Sequence, residues 1–316
     1  MANTADLERR ELGRGGPLVS VVGLGTNNFG RRMDDAAVGP TVDTALDRGI
    51  NLFDTADIYG SGESERLLGR ALRERRGEAI IATKFGMPRG GEDPEQRRGT
   101  PAYIRDAVES SLRRLDVDVI DLYQMHQPDP ATPIAETLGA MHQLVQQGMV
   151  RWIGCSNFDA WQVVEADWTA RSLGLTAFVS AQNQYSLLDR EPERELLPAL
   201  DHLGLGLLPY SPLANGLLTG KYHRGEAPPP GSRASRPGFA QMLEDEQRFD
   251  VLERLEGFAK QRGISLLQVA IGSLLGRPQV GSVIAGATSA EQVEANVEAA
   301  SWSPSAGDWA ELEKIT

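Results

Sequence analysis

The sequence of 316 residues predicts an α/β protein of the (β/α)8 TIM barrel class. Three observations point there. Eight short apolar runs alternate with helical stretches, and most runs are apolar on consecutive positions, as parallel strands covered on both faces must be. The two longest irregular stretches, 86–99 and 223–240, both follow the C-terminal end of a predicted strand, the face at which such barrels keep their chemistry. The length suits one barrel of about 250 residues plus insertions, so residues 1–316 read as one domain.

The elements follow in order. The first predicted strand is VSVVGLG (19–25). A helix over 41–49, TVDTALDRG, ends in Gly49, which can adopt the left-handed cap. INLFD (50–54) is the second strand, and ESERLLGRALRER (63–75) then sets Leu67, Leu68, Ala71 and Leu72 on one helical face. After the third strand, AIIATK (79–84), the helix TPAYIRDAVESSLRRL (100–115) starts with Thr100 as N-cap and Pro101 at its first position. VIDLYQMH (119–126) is the fourth strand, and TPIAETLGAMHQLVQQG (132–148) repeats the Thr-Pro start. RWIGCS (151–156), FVSAQNQ (178–184), LGLLPYS (205–211) and GSVIAGA (281–287) complete the eight, with helices over 159–173, 191–203, 245–262, 265–276 and 289–300. A doubly wound open sheet is the alternative on pattern alone. Its Gly-x-Gly-x-x-Gly turn is not met, because GLGTNNFG places Gly23, Gly25 and Gly30, with the third glycine two positions late.

Net charge is -12 and the pI is about 4.9, which argues against a nucleic-acid or anionic-membrane binder. A few local cations would still suffice for an anionic ligand. The single cysteine, Cys155, allows neither an intrachain disulfide nor a multi-cysteine metal site. No apolar run is long enough to span a bilayer and the start lacks an apolar leader core, so a cytoplasmic protein is expected.

Barrel geometry collects the polar residues at strand ends. Asp54 closes the second predicted strand with Tyr59 in the loop beyond it; Lys84 closes the third and His126 the fourth, with Gln182 and Tyr210 in matching places on the sixth and seventh. Each alone has a plain structural explanation, but the rim brings them together. A free tyrosine holds its proton to about pH 10. A lysine beside it favours the phenolate and so makes it a better acid, an aspartate keeps the lysine charged, and a histidine can orient a substrate oxygen. The set suits protonation of a carbonyl oxygen during reduction, and it lacks a nucleophile–base pair. A metal on Asp54, Asp57 and His126 is a weaker reading, since His142, His202 and His223 lie elsewhere. Lys84 as a Schiff-base amine is a third.

At these residues the sequence resembles the aldo-keto reductase family, over nearly its whole length from GLGTNNFG to GATSAEQVEAN. INLFDTADIYGSGESERLLGRAL is similar to the family signature, and RRELGRGGPLVS resembles the hairpin that plugs the bottom of that barrel. YSPLANGLLTGKY resembles the branch that includes bacterial reductases and potassium-channel β subunits. The resemblance implies a catalytic tetrad of Asp54, Tyr59, Lys84 and His126, with Tyr59 the proton donor. It implies NADP(H) as cofactor, with NAD(H) the alternative, and a small-molecule carbonyl as substrate. Cofactor contacts are then expected from Thr26, Asn27, Asp54, Ser156, Asn157, Gln182, Tyr210, Ser211, Leu213, Gly216, Leu217, Lys221, Arg233, Gly286, Thr288, Gln292 and Asn296. Three departures stand out: Ala285 where many members have proline, Ala295 where many have glutamate, and no Lys or Arg directly after Gly286. Preference for NADPH therefore rests on Lys221 and Arg233. The substrate wall is expected from 86–99, the neighbourhood of Trp152 and Tyr185, and 302–316, where Trp302 and Trp309 suit packing as well as they suit a wall. A different class, an NADPH-binding sensor or partner subunit with little turnover, is the alternative function.

Overall fold

The chain opens with a hairpin, β1 (Arg9–Glu11) paired antiparallel with β2 (Leu18–Ser20), in the computed structural model, which describes residues 7–88, 96–236 and 238–316. The predicted strand 19–25 is therefore two strands. Ser20 makes the corner: its amide donates to Asn51 Oδ1 at 2.7 Å and its hydroxyl to the Val22 carbonyl at 2.7 Å, and β3 (Val22–Gly25) leaves in a new direction. A mostly apolar run with a single serine carries no signal for such a corner.

The alternation then runs α1 (Asp35–Asp47), β4 (Leu52–Asp54), α2 (Glu63–Leu72), β5 (Ile80–Phe85), α3 (Pro101–Leu115), β6 (Ile120–Met125), α4 (Ile134–Gln146), β7 (Val150–Ser156), α5 (Ala160–Leu173), β8 (Ser180–Gln182), α6 (Leu196–Leu203) and β9 (Gly206–Leu207). It continues through α7 (Glu246–Arg262), α8 (Leu266–Leu275), β10 (Val283–Gly286), α9 (Ala290–Ala299) and α10 (Ala306–Ile315). Eight parallel strands lie in the order β10-β3-β4-β5-β6-β7-β8-β9. Backbone bonds Leu207 N to Gln279 O (2.7 Å), Gly281 N to Leu207 O (3.0 Å) and Ile284 N to Pro209 O (3.0 Å) join the last strand to the first. The predicted α/β barrel is thus the observed fold.

Helix ends differ from expectation for local reasons. Helix α1 starts earlier than predicted, capped by the Asp34 side chain on the Ala37 amide, and runs through Pro40. Proline removes the bond to the Ala36 carbonyl, but Ala36 is exposed, so water can take that acceptor. Gly49 takes the left-handed turn expected of it, φ 84°. Helix α10 was not predicted, although Ser305 and Asp308 form a reciprocal capping box.

The hairpin fills the N-terminal end of the barrel. Leu12 has no exposed surface and sits with Val19, Leu52, Ala82, Leu122, Leu208 and Ile284 inside the strands. A Cβ on Gly206 or Gly281 would come 2.7 or 2.6 Å from Leu12 Cδ1, so those two glycines make the space it enters. Leu12→Ala is expected to lower stability by about 3 kcal/mol, from lost apolar burial plus the cavity left behind. Denaturant unfolding checks this. Trp152 also belongs to this end: its indole donates to the Gly15 carbonyl at 2.9 Å, so it is not a substrate wall. Among the described residues no helix is long and apolar enough to cross a membrane.

Candidate active site

Parallel register brings the C-terminal ends of β4, β5 and β6 to one rim, and with them Asp54, Lys84 and His126. Lys84 is completely buried. Its ammonium donates to Asp54 Oδ2 at 2.7 Å and to the Thr55 carbonyl at 2.8 Å. Asp54 Oδ1 accepts from Gln182 Nε2 at 2.8 Å, so both carboxylate oxygens are paired. An ammonium has three donors; the third is left for the side where Tyr59 stands, its ring centroid 5.1 Å from Lys84 Nζ. Tyr59 begins a one-turn 3-10 segment, Tyr59–Gly62, in which Gly60, Ser61 and Gly62 have φ of 55°, 57° and 88°. This left-handed corner turns the chain sharply into α2 and leaves Tyr59 facing Lys84. His126 meets the Tyr59 ring edge to face, centroids 5.9 Å apart.

Burial dominates the electrostatics. It raises the Tyr59 pKa above the usual 10, and Lys84 only partly offsets the rise while Asp54 adds to it. The expectation that lysine makes this tyrosine more acidic than usual is corrected: removal from water outweighs the lysine. Tyr59 therefore stays protonated at neutral pH, as a weaker acid than a free tyrosine. Burial also works against the charge on Lys84, but Asp54 and Tyr59 more than restore it, and its pKa lies above the ordinary lysine value. A lysine held in its charged form is a poor Schiff-base amine. His126 is pushed well below the usual 6.5 by burial and then by Lys84, so it is neutral at pH 7. Its Nδ1 is buried without a hydrogen-bond partner among the described residues, and Asn157 Nδ2 donates to its backbone carbonyl at 2.9 Å.

A pH dependence of stability follows. Unfolded His126 takes up a proton near pH 6.5; the folded ring does not. The unfolded state therefore binds more protons below that pH, and stability falls as pH drops from about 6.5. The contribution approaches about 1.4 kcal/mol per pH unit, one proton's worth. Urea melts between pH 7.5 and 5 should show this slope in the wild type and a shallower one in His126→Asn.

Beside the tetrad lies a cavity of about 590 Å3. Of the predicted cofactor residues, Thr26, Asn27, Asp54, Tyr210, Ser211, Leu213, Gly216, Lys221, Arg233, Gly286, Thr288, Gln292 and Asn296 line it, as does Tyr59. The hydroxyl of Thr26 is committed elsewhere: it bonds the Asp54 carbonyl at 3.0 Å and Ser64 Oγ at 2.8 Å, tying β3 to β4. Ser156, Asn157 and Gln182 form a connected wall behind the tetrad. Ser156 Oγ donates to the Gln182 carbonyl at 2.7 Å, and Asn157 Oδ1 accepts from the Tyr210 hydroxyl at 2.8 Å. Leu217 does not line the cavity and is buried in the cluster that holds Leu218, Tyr222 and Phe249. Asn157, Ser211, Ala214 and Asn215 have φ of 59°, 53°, 45° and 60°, so left-handed non-glycine backbone clusters here. At the far end Ser289 caps α9, and Gln292 Oε1 accepts from the Thr288 amide at 2.9 Å.

Several lining residues were not predicted: Asn28 and Arg32 after β3, Asn215, and the turn Pro229 to Ser232. The basic pair Arg31-Arg32 in the first rim loop was the available signal for Arg32. Other expected wall residues lie elsewhere. Tyr185 is buried and donates its hydroxyl to Glu193 Oε1 at 2.7 Å. Of the two uses open to Trp302 and Trp309, packing is the one observed: Trp302 lies edge-on to Phe258, and Trp309 lies under the Arg277 guanidinium at 3.9 Å. Residues 89–95, the middle of the expected 86–99 wall, lie outside the described residues. Among the described residues no three His, Cys, Asp or Glu side chains are placed to hold a metal ion.

Comparisons with known proteins agree with the barrel fold. The sequence model of the aldo/keto reductase family matches residues 21–316. A protein of Bacillus subtilis (strain 168) named "Uncharacterized oxidoreductase YrpG" is 38% identical over 303 residues, covering 93% of this chain and 91% of its own. A "Probable voltage-gated potassium channel subunit beta" of Oryza sativa subsp. japonica is 35% identical over 301 residues, 93% and 91% of the two chains. "Probable aldo-keto reductase 1" of Glycine max is 33% identical over 300 residues, 93% and 85%.

Proposed function

The chain belongs to the aldo/keto reductase family, and on that premise we propose that it reduces an aldehyde or ketone to the alcohol, with NADP(H) preferred and Tyr59 as proton donor. The observation that carries this reading is the buried Lys84, held by Asp54 and set against a protonated Tyr59 and a neutral His126, at the edge of an open cavity. A bound nicotinamide supplies the hydride for such a reduction. Tyr59 gives its proton to the carbonyl oxygen as negative charge develops there. Lys84, kept charged by Asp54, stabilises the tyrosinate that remains. Neutral His126 has one ring N–H with which to orient the oxygen.

The residues present fit a dinucleotide. Thr288 just before α9, with Gln292 and Asn296 in its first two turns, stands for an adenosine end, and Lys221 and Arg233 for its phosphates. Lys221 Nζ lies where a Cβ on Gly216 would meet it at 3.3 Å, so that glycine leaves the ammonium room beside the cavity. Tyr210 gives a ring at the tetrad end, fixed by Asn157. We assign the protein to the cytoplasm, in keeping with its charge of -12 and its buried, unpaired Cys155, and read residues 1–316 as one working domain.

A panel of aldehydes and ketones offered with NADPH and NADH side by side, followed by nicotinamide absorbance, tests the reading. Oxidation of NADPH by at least one carbonyl, faster than of NADH, is expected. A second reading, a cofactor-loaded partner subunit with little turnover, is favoured by the names of the rice relative and of an Arabidopsis thaliana relative that carries the same one. It predicts tight NADPH binding, no reaction across the panel, and a partner that co-purifies.

A further inference from the structure

In a chain with 44 acidic and 32 basic residues, cations without carboxylate partners are informative. Arg32, Lys221 and Arg233 line the cavity, and among the described residues none of them forms an ion pair. The contrast lies on the same loop: Arg224 is engaged by Glu246, Asp250 at 2.6 Å and Glu253 at 2.8 Å, and so anchors the loop to α7. Arg233 instead donates to the neutral Asn215 Oδ1 at 2.5 Å. Arg32 and Arg233 are both held below the ordinary arginine pKa, first by burial and then by Arg236, and Arg32 adds to the effect on Arg233. Three arginines from two loops thus act on one another, and none of them forms an ion pair among the described residues.

Arg32 also joins the two loops. Its base is rigid: the amides of Arg31, Arg32 and Met33 all donate to the Asn28 carbonyl, at 3.2, 2.9 and 3.1 Å. Across from it, Pro229-Pro230-Gly231-Ser232 forms a turn closed by Ser232 N to Pro229 O at 3.1 Å, with Gly231 at φ 75°, the pattern of a type II turn. The Gly231 carbonyl of that turn accepts from Arg32 Nη2 at 2.8 Å. Both Arg32 and Gly231 line the cavity, so this bond is a strap between its two rims.

We propose that Arg32 is a phosphate-binding residue of this protein: its guanidinium contacts the dinucleotide's phosphates from the rim opposite Lys221 and, through Gly231, holds the loop over them. The inference rests on the dinucleotide reading above.

The test is titration of NADPH and of NADH into the wild type, Arg32→Ala and Arg32→Lys by nucleotide fluorescence, with dissociation rates by stopped flow. For Arg32→Ala the NADPH Kd is expected to rise about tenfold, mostly through faster dissociation, as loss of a charge-assisted bond requires. Its dependence on salt should flatten, because one fewer cation is screened. Arg32→Lys, which keeps the charge but not the fork, should recover the salt dependence and part of the affinity. An equal loss for NADH places Arg32 on the shared diphosphate; a loss confined to NADPH places it on the extra phosphate. Kd and dissociation rates within twofold of wild type for both nucleotides, in an Arg32→Ala protein of unchanged melting temperature, would overturn the proposal. A wild type that binds neither nucleotide would instead sink the cofactor reading, and this inference with it.

Discussion

Tyr59→Phe is expected to lower kcat for carbonyl reduction by about a thousandfold, the scale of a positioned general acid. The substitution removes one oxygen and leaves the ring, which packs against His126 at 5.9 Å, in place. NADPH affinity should stay within about threefold of wild type, since the phenol is one lining group among many. The pH profile sharpens the case. With Tyr59 raised above its ordinary value and His126 far below its own, neither group titrates between pH 6.5 and 9. Wild-type kcat for reduction should be flat through that window and fall only in more alkaline solution, as the tyrosine loses the proton it must donate. Steady-state kinetics at saturating NADPH measures both effects.

Lys84→Met should harm activity and stability together. The ammonium is completely buried and bonded to Asp54 at 2.7 Å; without it the carboxylate keeps only Gln182 and is stranded out of water. Breaking one side of such a pair costs about 3 to 5 kcal/mol. Tyr59 meanwhile loses the only cation beside its oxygen within the tetrad, and turnover should fall by at least about a hundredfold. The double variant Asp54→Asn, Lys84→Met separates the effects. Removing both charges should return most of the lost stability, because an uncharged pair strands no ion. It should not return turnover. Urea unfolding of the three proteins, with kinetics on each folded form, gives the comparison; a double variant as unstable as Lys84→Met alone would mean that the pair is not the source of the loss.

Much of this molecule is legible in its sequence because the relevant patterns are local. Consecutive apolar runs ending in Asp54, Lys84 and His126 mark both the strands and the rim, and the parallel register then converges them. The misses share a cause, which is dependence on partners far away in sequence. The corner at Ser20 is set by Asn51; Trp152 is drawn to the barrel floor by Gly15; Tyr185 is drawn away from the cavity by Glu193. Arg32 belongs with these, since only its bond to Gly231, across 199 positions, separates it from an ordinary loop charge. The acidity of Tyr59 departs from the sequence-based expectation for another reason. A motif names the neighbouring lysine but not the depth of burial, and burial is the larger influence here.

The most direct measurement follows the hydrogen itself. Wild-type protein is given NADPH bearing deuterium at both positions of nicotinamide C4, together with a carbonyl that the panel finds to be reduced, and the alcohol is analysed by mass spectrometry and NMR. The account predicts one deuterium on the carbinol carbon for each nicotinamide oxidised, with the hydroxyl proton drawn from solvent-exchangeable groups, and a rate about a thousandfold lower in Tyr59→Phe. Alcohol formed without deuterium on that carbon, or formed equally fast by Tyr59→Phe, would contradict it.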